Sequence, residues 1–289
     1  MSKESTKSSS FITRAREWQR KWSRGHGWTL EPDRKEVLLS KKEAKEGNNF
    51  YSYDFNIIKA VKNPQKFNNM LRSEHIPFNM FIPLDKDKEY FKKIFNEIIG
   101  NKIKSIDLLK IEYTPEPSEK YLNDKTSFDA YIEYTSIDNE KCIIGIEVKY
   151  TEKGYTPGIK EMNEMNKEKS TYSEVTDNSK TYKDCFKKLK EKFKKNKYRQ
   201  IWRNHILGES ILQKDKAKFK DFISITIYPE GNKHIGDAGK EYVEFLEKKY
   251  QYRCQFLTYE KLFKLFEKHC PNEKYKKWID YMRERYIVI

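Results

Sequence analysis

The run Cys142-Ile-Ile-Gly-Ile-Glu-Val-Lys-Tyr150, with Phe128-Asp-Ala-Tyr-Ile-Glu-Tyr134 before it, decides how this chain folds. Both stretches are rich in β-branched and aromatic residues and are short enough to be strands. Between them, Ile137-Asp138-Asn139-Glu140 carries turn chemistry, because Asp and Asn side chains bond their own backbone and tolerate tight turns. An antiparallel hairpin centred near Asp138 follows. Its register sets Asp129 opposite Glu147 to within one residue. Side chains alternate across a strand, so Glu147 and Lys149 point to one face. Two carboxylates and one ammonium therefore stand side by side on a sheet whose other residues are apolar.

Further strands lie on either side. Residues 106–113 alternate with period two and are closed by Pro115 and Pro117. Residues 222–228 form a fourth strand ending at Pro229, and residues 254–257 a short fifth. Apolar residues at helical spacing (Tyr90, Phe91, Ile94, Phe95, Ile98, Ile99) predict a helix over 87–99. A helix following Gly47-Asn48-Asn49 would carry Phe50, Phe55, Ile58 and Val61, and residues 73–81 read as a loop or a helix start. A long basic helix is expected over 182–212, another over 237–250, and more at the C-terminus. Residues 152–182 read as a long polar loop.

The order is helix, three strands, helix, strand. It predicts an α/β fold with a mixed central sheet flanked by helices (αβββαβ) and helical additions at both ends. We expect a disordered tail over 1–10 and a single domain over 11–289. Its core would span about 70–260, with a helical N-terminal part over 11–69 and a helical extension over 261–289. The N-terminal segment carries Trp18, Trp22 and Trp28 among Arg and Lys, which reads as a packing element.

The chain has 289 residues and a formal charge of +15. Clustered Lys and Arg release condensed counterions from nucleic acid, so a phosphate-rich partner is the natural inference. The same Lys-rich composition also arises from an AT-rich genome. No apolar run is long enough to span a bilayer, and the polar N-terminus lacks the apolar core of a secretory signal, so a cytoplasmic location is expected. Cys142, Cys185, Cys254 and Cys270 form no CxxC pair and read as reduced thiols. The five histidines show no ligand spacing, which argues against zinc.

The strand pair carries the chemistry. Carboxylates a few ångströms apart repel, and a hard divalent cation relieves that repulsion. Mg²⁺ (or Mn²⁺) takes one or two carboxylates with waters and substrate phosphate. An adjacent ammonium orients water and offsets charge in a phosphoryl transition state. The parts suit phosphodiester hydrolysis. Glu-x-Lys recurs at Glu43-Ala-Lys45 and Glu247-Lys-Lys249, both on expected helices; only at 147–149 does it lie on an apolar strand. The competing reading is an exposed sheet face that happens to carry a Glu–Lys pair.

Asp129 followed by Glu147-Val148-Lys149 resembles the PD-(D/E)XK nuclease superfamily. Further segments look like a restriction-endonuclease-like bacterial branch of it: Gly47-Asn48-Asn49-Phe50, Ser73-Glu-His-Ile-Pro-Phe-Asn-Met-Phe81, Glu147-Val-Lys-Tyr-Thr-Glu152, Tyr198-Arg-Gln-Ile-Trp-Arg-Asn204 and Tyr228-Pro-Glu-Gly-Asn232. Phe128 stands where the family name has Pro. The resemblance implies a Mg²⁺- or Mn²⁺-dependent endodeoxyribonuclease of restriction or defence type. Asp129 and Glu147 would be metal ligands with the Val148 carbonyl, and Lys149 would position water. Glu74 is the candidate for an auxiliary acid from the first core helix. Gln200 and Arg203, which share a helix face with Asn204, are candidates near the substrate. Glu152 bears either on the metal's surroundings or on nothing beyond the strand end. Tyr228 to Asn232 reads as a turn that caps the next helix at Asn232.

Lys187, Lys188, Lys194, Lys195 and Lys197, with Arg203, form an expected rail for DNA. Cutting both strands requires two sites, which favours a homodimer. Two alternatives stay open: a DNA-binding or partner-recruiting protein with an unused nuclease fold, and a nuclease acting on RNA or branched DNA.

Overall fold

The computed structural model describes residues 10–33, 35–153, 159, 162, 163, 167, 170–184 and 197–289. Among them, five strands form one sheet in chain order: β1 (Ile103–Tyr113), β2 (Phe128–Ser136), β3 (Lys141–Val148), β4 (Asp221–Tyr228) and β5 (Cys254–Thr258). β1, β2 and β3 run antiparallel in succession, while β4 and β5 run parallel to β3. The sheet is therefore mixed, as the pattern predicts. Ala130 faces Ile146 and Tyr134 faces Cys142, the register expected of a hairpin turning at Asp138.

The helices are α1 (Phe11–Gly25), α2 (Lys41–Glu46), α3 (Ile76–Asp85), α4 (Lys88–Ile99), α5 (Thr171–Asn178), α6 (Arg199–Lys214), α7 (Lys233–Val243), α8 (Tyr259–Lys268) and α9 (Glu273–Tyr286). They cover both faces. Ile144, Ile146 and Val148 of β3 pack into a core with α3, α4, α8 and α9, which Ala15 of α1 joins. The opposite face puts Ile143 and Phe222 against Ile206 and Leu207 of α6, with residues of α5 and α7. Burying each such side chain is worth about 1.5–3 kcal/mol, and this fixes which face of β3 is which. Since Ile146 and Val148 belong to the first face, Glu147 and Lys149 must point to the α6 side.

Local sequence sets the helix ends. Asp87 accepts the Tyr90 N–H at 2.9 Å and starts α4; Gly100, at φ 84°, ends it in a conformation that favours glycine. A second buried polar element ties distant segments together. Asn79 accepts the Tyr51 N–H (2.8 Å) and donates to the Asn49 carbonyl (2.8 Å) and the Tyr286 hydroxyl (2.9 Å). The fully buried Arg285 donates to the same Asn49 carbonyl at 3.0 Å. The segments 47–50 and 73–81 thus meet the C-terminal helix through side-chain amides.

Several expectations are corrected. Phe50, Phe55 and Val61 are buried, but no helix carries them; the chain makes a short 3-10 turn at Ile57–Ala60 instead. Asp54 and Asn56 sit at positive φ, which breaks a right-handed helix. The polar stretch 152–182 contains α5, capped by Ser170 and packed through Tyr172 and Val175. β1 begins at Ile103 and not at residue 106. The helix expected over 237–250 is α7, which starts and ends earlier; a 3-10 stretch at Lys248–Arg253 follows it. Cys142, Cys254 and Cys270 are free thiols. Among the described residues no helix is long and apolar enough to cross a membrane. The expectations for a tail over 1–10 and for Cys185 fall on residues 1–9 and 185, outside those described.

One close approach seats α6. A Cβ built on Gly208 would lie 1.9 Å from the Phe222 ring, which is fully buried in β4. Gly208→Ala gains about 1 kcal/mol of helix propensity, but the displaced ring costs about 1–3 kcal/mol. The substitution is expected to lower the urea midpoint, whereas Gly25→Ala at the open end of α1 is expected to leave it unchanged or raise it.

Candidate active site

β2 begins beside the end of β3, and the functional groups gather there. The Asp129 carboxylate accepts the Val148 N–H at 2.7 Å, bridging the two strands where the ladder stops. Glu147 and Lys149, each 8 % exposed, follow on the face beneath α6. Their side chains form an ion pair. The first turns of α6 complete the arrangement: Gln200 donates to one oxygen of Glu147, and Asn204 donates to the other. Both oxygens of Glu147 thereby have a donor, which a buried charge requires.

The electrostatics follow from burial and from like charges. Burial pushes Asp129 well above the usual carboxylate range, and the charge of Glu147 pushes it further, against the pull of Lys149 and the Val148 N–H. Burial opposes the charged form of Lys149. The carboxylates of Glu147, Asp129 and Glu152 outweigh it, so the ammonium lies above the ordinary lysine value and stays charged. A space of about 20 Å³ remains between Glu147, Lys149, Lys153, Lys197 and Gln200, room for one water-sized group. A larger apolar hollow of about 570 Å³ lies between α1 and α9, lined by Trp18, Trp22 and Ile287, and contains none of these residues.

The donor set is made only of oxygens, from two mutually repelling carboxylates. It fits a hard divalent cation and would not favour a softer one. In an extended strand a residue's N–H and C=O point the same way. The Val148 carbonyl therefore faces the edge on which Asp129 sits. Among the described residues no group of three or more His, Cys, Asp or Glu could hold a metal ion. Two carboxylates and a carbonyl would make a sparse shell with positions left open.

Not every candidate joins the cluster. Arg203 turns to the loop before β2, donating to the Thr126 hydroxyl at 2.7 Å and lying 3.6 Å from Asp124. Glu74 is exposed at the entry to α3, close enough to Glu112 for its charge to raise that carboxyl after burial has done so. Lys197 borders the small space but pairs with Glu241 of α7 at 2.6 Å. Lys187, Lys188, Lys194 and Lys195 lie outside the described residues. Two participants were not singled out for these roles beforehand. Asn204 shares Glu147 with Gln200, a contact that its i, i+4 spacing from Gln200 allowed. Lys153 borders the site just beyond the motif, and in so Lys-rich a chain nothing distinguished it.

A family model described as the PD-(D/E)XK nuclease superfamily matches residues 6–288. No curated protein and no solved structure matches the chain.

The raised carboxyl has a measurable consequence. Below about pH 3.9, the ordinary Asp value, Asp129 is protonated in both folded and unfolded chains. As pH rises the unfolded chain ionises first, and stability is lost until the folded carboxyl ionises too. In EDTA, Asp129→Asn keeps an acceptor for Val148 and is expected to melt a few degrees above wild type at pH 8, the gap closing toward pH 4. Adding Mg²⁺ should raise the melting temperature of the wild type and not that of the variant. A variant that melts at or below wild type across this range would contradict the repulsion.

Proposed function

Since the chain belongs to the PD-(D/E)XK nuclease superfamily, we propose that it is a metal-dependent endodeoxyribonuclease whose site is Asp129, Glu147 and Lys149. The observation that carries this reading is the convergence, at the end of β3, of two carboxylates from adjacent strands with an ammonium paired to one of them. Asp129, Glu147 and the Val148 carbonyl would hold Mg²⁺ or Mn²⁺. When bound, that ion supplies Lewis acidity to the scissile phosphate and acidifies water beside it.

The protein's own groups do the rest. Gln200 and Asn204 hold the rotamer of Glu147, and the oxygen that accepts from Asn204 would keep a lone pair for the cation. The Lys149 ammonium, now paired with Glu147, lies within reach of an incoming water and of charge developing on phosphate oxygens. Lys153 borders the same space and would supply positive charge to a flanking phosphate. The overall charge of +15 favours approach of a polyanion.

We assign the enzyme to restriction or defence, on the resemblance of its segments at 47–50, 73–81 and 228–232 to restriction-endonuclease-like bacterial proteins. We read residues 11–289 as one nuclease unit that acts as a homodimer when both strands are cut.

Incubation with supercoiled plasmid and Mg²⁺ or Mn²⁺ tests this. Nicking or linearisation is expected from wild type and is abolished by EDTA. Lys149→Ala should lose roughly 10²–10³-fold in rate, and Gln200→Ala should lose less. Wild type that binds DNA but cuts neither duplex, branched DNA nor RNA would overturn the enzymatic reading. Cleavage confined to RNA or branched DNA would overturn the substrate.

A further inference from the structure

Glu152 adds its charge to Lys149 from outside the cluster, and its carboxylate accepts three hydrogen bonds from other residues. One oxygen accepts the Ser73 N–H at 2.7 Å and the Ser73 hydroxyl at 2.9 Å. The other accepts the Tyr150 N–H at 2.8 Å. From the opposite side, the Asn232 amide donates to the Tyr150 carbonyl (3.0 Å) and to the Glu152 carbonyl (2.9 Å). The Thr151 hydroxyl reaches the Leu71 carbonyl at 2.9 Å.

These bonds sit where the sheet gives out. β3 ends at Val148, and the last ladder bond runs from the Lys149 N–H to the Ile227 carbonyl at 2.8 Å. Beyond it the backbone groups of 150–152 have no neighbouring strand among the described residues, and buried N–H and C=O groups need partners. The Tyr259 hydroxyl serves the Lys149 carbonyl at 2.7 Å. Glu152 and Asn232 serve the next residues. Asn232 occupies the cap position of α7 but makes no side-chain cap bond, so its amide is spent on the strand end. This corrects the expectation that it caps the helix.

We propose that Glu152, clamped between Ser73 and Tyr150 and backed by Asn232, is a positioning residue that fixes the Lys149 backbone and hence the reach of its ammonium over Glu147. Glu152 would act on the backbone and not on the cation, because its oxygens turn to the Ser73 and Tyr150 N–H groups. Only a carboxylate fits here, because donors approach both oxygens. An amide would turn an NH₂ group toward the donors on one side and lose that arm. The inference rests on the reading of Asp129, Glu147 and Lys149 as the active site.

Glu152→Gln is the variant, with Ser73→Ala as a milder second should the first fail to fold. On plasmid with Mg²⁺, Glu152→Gln is expected to lower kcat roughly 10- to 100-fold, as sub-ångström misplacement of a reacting group does. KM for DNA and the Mg²⁺ concentration at half-maximal rate should stay within about twofold. The double variant should fall short of the product of the single effects, because both residues belong to one clamp. Hydrogen exchange read at Tyr150 should quicken in Glu152→Gln while Ile144 and Ile146 stay protected. A tenfold rise in the Mg²⁺ requirement would make Glu152 part of the metal shell and overturn the proposal. Unchanged kcat with unchanged exchange would overturn it as well. If wild type proves inert on every nucleic acid, the nuclease reading fails by itself, and exchange at Tyr150 alone decides whether the clamp exists.

Discussion

Two carboxylates on neighbouring strands repel, and much of what surrounds Asp129 and Glu147 answers that repulsion. The Val148 N–H and the Lys149 ammonium supply positive ends from the same strand. Gln200 and Asn204 supply two more from a helix whose distance from the sheet is set by the bare flank of Gly208 against Phe222. A site of this kind stores unfavourable charge in the folded state, and the surrounding cores supply the stability that tolerates it.

The hairpin was legible because its signals agree at every level. Period-two alternation, a polar turn and an apolar ground made the register of β2 against β3 readable, and with it the juxtaposition of Asp129 with Glu147 and Lys149. Where signals disagreed, the reading slipped. Phe55, Ile58 and Val61 are apolar at near-helical intervals, but Asp54 and Asn56 on either side of Phe55 take up left-handed conformations. Gln200, Arg203 and Asn204 share a helix face only loosely. At about 100° per residue, Arg203 and Asn204 diverge to either side of Gln200, and only one of them reaches Glu147. Asn232 stands where a cap belongs, yet tertiary neighbours claim its side chain. No local rule reports such a choice.

The segments that carry the family resemblance acquire distinct physical duties. Asn49 and Asn79 knot the N-terminal half to the C-terminal helix around the buried Arg285. Ser73 and Asn232 converge on the residues just after Lys149. Stretches far apart in the chain thus serve one strand end, so a likeness spread thinly along the sequence can describe a single compact device.

The mixed order of the sheet has a consequence for how that device is assembled. β1, β2 and β3 pair through local hairpins, whereas β4 joins β3 in parallel only after the whole stretch from Val148 to Asp221 has been closed. Local pairings form quickly and long closures slowly. The two carboxylates are therefore brought together early, while the amides of Gln200 and Asn204 and the strand that receives the Lys149 N–H arrive late.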